Sequence, residues 1–241
     1  MVTLRKIKRR QSFHSPSCPT VQSIPLELTT MTSDNVKRFD DAAAEWEEKP
    51  QRVALARKVA EAIQQAIPLA STMQVLEYGC GTGMVSRALS PYVAKIIAVD
   101  TSPQMLEVLR QKAREETIDN IETLAHDLTK QPLLDKNFDL VMSSMTLHHI
   151  PDIDTLLQRL FTTLKPGGFL AVADLLTEDG SFHEDNRGVA HHGVDPKAVR
   201  AILAKNGGLD IGVHEIHLIE KPQKNGTKRG YPVFLAWCRK A

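Results

Sequence analysis

The stretch Val75-Leu-Glu-Tyr-Gly79-Cys-Gly81-Thr-Gly83 constrains this chain more than any other. A short apolar run enters it and a helix-forming run leaves it, so three glycines fall on a strand-to-helix turn. Glycines at such a turn adopt torsions closed to other residues and let a ligand approach the backbone. The next apolar run, Lys95-Ile-Ile-Ala-Val-Asp100, ends in a carboxylate at about the distance expected for an acid that accepts hydrogen bonds from a ribose hydroxyl pair. Loop and acid together predict a site for an adenosine-containing cofactor. The competing reading is a tight structural turn followed by a surface aspartate. The strand before, the helix after and the placement of the acid favour the site. The order Gly79, Gly81, Gly83 puts Met84 where a dinucleotide fingerprint wants glycine or alanine, and no Walker pattern occurs. Pyrophosphate ligands are therefore disfavoured.

Around this loop the pattern alternates. Helices are predicted over 35–48, 52–67, 84–89, 103–116, 153–164 and 196–206, with Pro50 separating the first two and Ser102 capping the fourth. Strands are predicted at Gln74–Tyr78, Lys95–Asp100, Ile121–Ala125, Phe138–Met142, Phe169–Asp174, His214–Glu220 and Pro232–Trp237. The last two are joined by a polar loop holding Asn225-Gly226, which suits an antiparallel return. Strand, helix, strand at this spacing means an α/β fold, a largely parallel sheet with helices on both faces.

Charge divides the chain where the pattern does. Residues 1–30 hold five basic side chains against one acid, so the remaining residues, with 25 basic and 28 acidic groups, are mildly acidic within a net charge of +1. The expectation is a disordered basic arm at 1–30 and one domain over 31–241. The arm has the composition of an organelle-targeting peptide, or of an upstream stretch if translation begins at Met31. Cytoplasmic location is expected, with mitochondria or another organelle as the alternative if the arm is an address. No broad basic surface is left for nucleic acid. No apolar run approaches the ~20 residues that cross a bilayer. Cys18, Cys80 and Cys238 are scattered, which suits a reducing compartment and argues against a disulfide framework or a structural zinc site. Oligomeric state is not legible.

Several motifs carry a family resemblance. Glu77-Tyr-Gly-Cys-Gly-Thr-Gly83 resembles motif I of class I S-adenosylmethionine-dependent methyltransferases, and Asp100 matches their ribose-binding acid. Asp127 in Ala125-His-Asp-Leu128 matches the position whose side chain and following amide hold the adenine ring. Phe138 through Asp152 resembles the fourth-strand motif of the subgroup that includes the ubiquinone-biosynthesis and related small-molecule methyltransferases, and Leu164-Lys-Pro-Gly-Gly-Phe-Leu170 the turn before their fifth strand. The resemblance implies a Rossmann-like seven-stranded, mostly parallel sheet of order 3-2-1-4-5-7-6 with strand seven antiparallel. It also implies S-adenosylmethionine as cofactor, held by Glu77, Gly79, Cys80, Gly81, Gly83, Asp100, Asp127, Leu128 and Ser144.

Methyl transfer from a sulfonium needs mainly alignment and desolvation, and a general base only for a protonated acceptor. His148 and His149 leave the fourth strand on the side expected to face the methyl group. They are candidates for a base or a substrate-orienting donor, against a loop-packing pair. Trp46, His191 and His192 are placed on the substrate side, Trp46 against a plain helix-docking role. Arg52 is within reach of the cofactor carboxylate or solvated. Asp179, His183, Glu184 and Asp185 lie near the second histidine pair, but no ligand spacing supports a metal, and none is expected. The absence of an Asn/Asp-Pro-Pro-Tyr motif favours oxygen or carbon methylation of a small molecule. Methylation of a protein or RNA group, a non-catalytic cofactor-binding module and a nicotinamide-dependent dehydrogenase are the alternatives.

Overall fold

The computed structural model describes residues 33–133, 137–222 and 226–241, and the side chains of these from Asn35 on. The basic arm and Asn225 lie outside the described residues. The chain runs α1 (Ser33–Ala42), α2 (Pro50–Ala66), β1 (Gln74–Tyr78), α3 (Met84–Leu89), β2 (Lys95–Asp100), α4 (Pro103–Glu115), β3 (Ile121–Ala125), β4 (Phe138–Ser144), α5 (Ile153–Thr162), β5 (Leu164–Leu175), α6 (Pro196–Lys205), β6 (Gly208–Pro222) and β7 (Lys228–Lys240). The sheet order is β3-β2-β1-β4-β5-β7-β6. β1 to β5 pair in parallel, and β7 runs antiparallel to both neighbours.

Side chains alternate across the inner strands and are buried on both faces, as a parallel sheet under two helix layers requires. Leu76, Val141, Leu170 and Val172 pack with Leu156, Leu160, Val199 and Leu203 of α5 and α6. Val75, Leu140, Ala171 and Ala173 pack with Val59, Ile63, Val85 and Leu89 of α2 and α3. Because β1 feeds a crossover toward β2 while β4 lies on its other side, the crossovers diverge above the carboxyl ends of β1 and β4. That is where α/β sheets open a crevice for ligands.

Several elements differ from their sequence-based spans. The predicted helix 35–48 stops at Ala42, and Trp46–Glu48 form a separate single 3-10 turn. Lys49 is extended because it precedes Pro50, which occupies the first turn of α2 rather than a break between two helices. β6 begins at Gly208 and β7 extends to Lys240, both longer than expected. β6 is an edge strand with many exposed positions and two register irregularities, so its hydrophobic alternation is weak over much of its length. The Lys165-Pro-Gly-Gly168 stretch lies within β5, where the pairing with β4 is irregular.

Candidate functional site

The loop after β1 is fixed by backbone bonds. The Gly79 and Cys80 amides both donate to the Val99 carbonyl, at 2.8 and 3.1 Å, and tie the loop to the end of β2. Gly79 has a φ of +72°, and a Cβ there would run into the side chain of Thr146, which follows β4. Gly83, at φ +74°, is the residue before α3, and a Cβ on it would collide with Leu109 of α4. The third glycine therefore serves helix packing and does not line the cavity. Gly81 has open space beside it.

Asp100 ends β2 beneath this loop. Its Oδ2 accepts from the Gly81 amide at 2.8 Å and its Oδ1 from the Ser102 amide at 2.9 Å. Burial pushes its pKa up, against the pull of those amides. A carboxylate offers about four lone-pair directions, so capacity remains for a hydroxyl pair. Glu77 is fully enclosed and accepts from the Ser86 hydroxyl of α3. Burial raises its pKa to about 7, with Asp100 nearby adding to the rise. The Cys80 thiol is likewise pushed up by burial, which keeps it neutral and unreactive.

Over these groups lies a cavity of about 330 Å³. Its cofactor-side lining includes Glu77, Gly79, Cys80, Gly81, Asp100 and Ser144. Asp127 and Leu128 do not line it. Asp127 Oδ1 accepts from the Thr129 amide and hydroxyl, and its Oδ2 pairs with Lys130 at 3.1 Å. The Leu128 side chain is in the core and its carbonyl accepts from Arg159.

The roof is assembled from distant segments. Asp40 of α1 accepts from Ser102 Oγ and the Gln104 amide, anchoring α1 on the start of α4. Asn35 Nδ2 donates to the Gly188 carbonyl and Arg38 to the Arg187 carbonyl, joining α1 to the 176–195 segment. Trp46 lines the cavity, stacked edge-on with Phe39 at 5.8 Å and covered by the Arg52 guanidinium at 3.6 Å. Burial, with Arg38 nearby, lowers the Arg52 pKa.

The wall facing the cofactor side is built of imidazoles. His148 and His149 are both buried and line the cavity. His148 Nδ1 is 2.6 Å from Oδ1 of Asp174, a carboxylate with no exposure at the end of β5. Burial raises the Asp174 pKa, but His148 and the amides of His148 and Leu175 outweigh it and hold the pKa below the ordinary value. Asp174 is thus ionised and His148 Nδ1–H is the donor. His149 Nδ1–H donates to the Gly188 carbonyl at 2.9 Å, and burial, then the adjacent His148, push its pKa down to about 3. A group so depressed is a poor proton acceptor near neutrality.

His191 and His192, placed on the substrate side by sequence, do not line the cavity. His191 Nε2 donates to the Ile150 carbonyl, and His192 is exposed beside Gly180. The same segment instead contributes Phe182 and His183. His183 was visible only as a histidine among acids, and Asp174 carried no sequence signal beyond ending a strand. One ring nitrogen from each of His148, His149 and His183 lies within 4.8 Å of the others, although no metal was expected here. Cations Arg38, Lys49, Arg52 and Lys221 also line the cavity, against the carboxylates of Glu77 and Asp100.

Comparison with known proteins agrees with this layout. Residues 76–172 match the family described as methyltransferase domain. An uncharacterized methyltransferase of Schizosaccharomyces pombe is 37% identical over 170 residues, 64% of this chain and 58% of that protein's length. The chain thus spans less than two thirds of that relative. A malonyl-[acyl-carrier protein] O-methyltransferase of Marinomonas sp. is 32% identical over 197 residues, covering 78% of this chain and 68% of that protein. The crystal structure of the YcgJ protein of Bacillus subtilis superposes with a TM-score of 0.62 at 18% identity, over 76% of this chain and 97% of that one. With the glycine loop, the acid at the end of β2 and the sheet order in place, these matches show that the chain belongs to the S-adenosylmethionine-dependent methyltransferases with this methyltransferase domain.

Proposed function

We propose that the chain transfers a methyl group from S-adenosylmethionine to an oxygen or carbon of a small organic acceptor bearing an anionic group. The observation that carries this is one cavity that joins the Gly81 and Asp100 cradle to the imidazole wall and to four cationic side chains. When bound, the cofactor supplies a methyl group on a positively charged sulfur, whose S–C bond breaks as the bond to the acceptor forms.

In this reading Asp100 accepts from the ribose hydroxyls, while the Gly79–Gly81 backbone lets the cofactor lie close to the loop. Thr101 and Met105 line the cavity next to Asp100 and shape the nucleoside end. Asp127 and Leu128 keep an adenine role by resemblance alone, since neither lines the cavity. Ser144 and Glu77 flank the amino-acid end. Arg38, Lys49, Arg52 and Lys221 neutralise the acceptor's negative charge, and Phe39, Trp46 and Phe182 exclude water, which strengthens each of these interactions.

Calorimetric titration of S-adenosylmethionine into wild type and Asp100→Ala tests the cradle. Loss of the ribose contacts is expected to weaken binding by roughly 10- to 100-fold, or about 1.4–2.8 kcal/mol. No binding to wild type, or equal binding to both, would overturn the assignment.

A further inference from the structure

The geometry points to a mononuclear divalent metal site made by His148, His149 and His183, with an open coordination position facing the acceptor end of the cavity. The three rings come from two segments, the turn after β4 and the 176–195 segment, and one nitrogen of each lies within 4.8 Å of the others. His148 and His149 spend their Nδ1–H groups on the Asp174 carboxylate and the Gly188 carbonyl, so the nitrogen each has left for an ion is Nε2. Metal-bound histidines present this arrangement: one nitrogen on the ion, the other donating to a carboxylate or a backbone carbonyl that fixes tautomer and ring angle. His183 Nε2 is buried and has no hydrogen-bond partner.

Ring stacking alone is the rival explanation, since the centroids lie 4.1 to 5.7 Å apart. Stacking accounts for the contacts but leaves a buried nitrogen unsatisfied, which is a free-energy cost. An ion removes that cost. Nitrogens around an ion with bonds near 2.1 Å stand about 3.3 Å apart, so the cluster closes by roughly 1 Å on loading. His183, on the less buried segment, is the ring placed to make that movement.

Imidazole suits zinc, iron, nickel and copper, and three histidines with one position open is the pattern of a reactive rather than a structural site. The use of the ion rests on the methyl-transfer reading. An acceptor hydroxyl that coordinates it loses its proton to solvent, and the oxygen lone pair so exposed forms the new C–O bond as S–C breaks.

The test uses the untagged full chain, stripped with chelator and titrated with Co2+, followed by equilibrium dialysis against Zn2+. One equivalent bound, with the visible bands of four- or five-coordinate cobalt, is expected. His183→Ala and His149→Ala should each weaken binding at least 10-fold, while His192→Ala, in the exposed neighbour, leaves it unchanged. Should the alanine variants fold poorly by circular dichroism, Cu2+ loaded into wild type and examined by pulsed electron paramagnetic resonance must show coupled imidazole nitrogens. No saturable binding to wild type, unchanged affinity in folded His183→Ala, or copper without imidazole coupling would overturn the site. Wild type that binds S-adenosylmethionine but no metal removes only the ion. Wild type that binds metal but no cofactor removes only the methyl-transfer reading.

Discussion

The two walls of the cavity are made in different ways. Apart from Ser144 of β4, the cofactor wall comes from one contiguous stretch, Glu77 to Met105, and much of it is backbone: the amides of Gly79, Cys80, Gly81 and Ser102 hold its shape. The acceptor wall is side chain, gathered from α1, the turn after β4, the 176–195 segment and β6. A backbone wall offers the same groups whatever surrounds it and suits a shared cofactor. A side-chain wall can be rebuilt residue by residue, and it is where members of a fold family diverge in acceptor.

If the walls are separate, damage to one should spare the other, and Asp174→Ala is the severest trial. It leaves the His148 Nδ1–H and the His148 and Leu175 amides without their acceptor inside the core. Removing one partner of a buried charged network costs about 3–5 kcal/mol. Urea denaturation should show that loss while S-adenosylmethionine affinity, measured well below the melting temperature, stays within about twofold. A matching fall in cofactor affinity would break the distinction.

The cofactor wall has its own signature in pH. Glu77 has a pKa near 7 in the folded chain against an ordinary 4.5. Between those values the folded state keeps a proton that the unfolded state has lost. Stability contributed by this group is therefore present below about pH 4.5 and declines as pH rises to 7, by on the order of 3 kcal/mol. The cofactor-free protein should melt lower at pH 7.5 than at pH 5, and the difference should shrink in Glu77→Gln, which keeps an acceptor for Ser86. Equal slopes in both proteins would show that burial of Glu77 costs nothing. His148, His149 and His183 lie on the other wall and are untouched by the substitution.

Gly79→Ala is a smaller perturbation in energy and a sharper one in place. An alanine at φ +72° costs about 1–2 kcal/mol, and its Cβ must displace Thr146. A shift of the loop should weaken S-adenosylmethionine binding by roughly 10-fold or more with metal binding preserved. Retained cofactor affinity would mean that the loop's torsions are not what the ligand requires.

This contrast also explains what could be seen in the sequence. The alternation of strands and helices, the antiparallel return of the last strand and the glycine loop with Asp100 were legible because they rest on local periodicity, turn residues and torsions that glycine takes readily, while the strand order followed from the family resemblance. Asp174 was not, because an acid at a strand end announces nothing until His148, 26 positions earlier, folds against it. His183 was seen but undervalued, and His191 and His192 were overvalued. A histidine pair in a loop has no period that says which ring points inward, and here Gly180 and Gly188, both at positive φ, turn the segment so that Phe182 and His183 enter the cavity. Trp46 lines the cavity, yet the helix it was assigned to ends at Ala42.

The weakest link between the walls is the latch of α1 on the 176–195 segment. The Gly188 carbonyl accepts from both Asn35 Nδ2, at 3.1 Å, and His149 Nδ1, at 2.9 Å, so the roof helix and the imidazole wall share one oxygen. Asn35→Ala removes one of those donors but strands no buried charge, and is expected to cost about 1 kcal/mol. At that size the segment opens roughly fivefold more often. Hydrogen exchange is the direct measurement: the Ala190 and His191 amides, both bonded to the His148 carbonyl, should exchange faster, while the Gly79 and Cys80 amides on Val99 keep their wild-type rates. Acceleration confined to the first pair would mean that the roof opens over a standing cofactor wall. Acceleration of both pairs would mean that the two walls rise and fall as one unit, and that their separation is one of composition only.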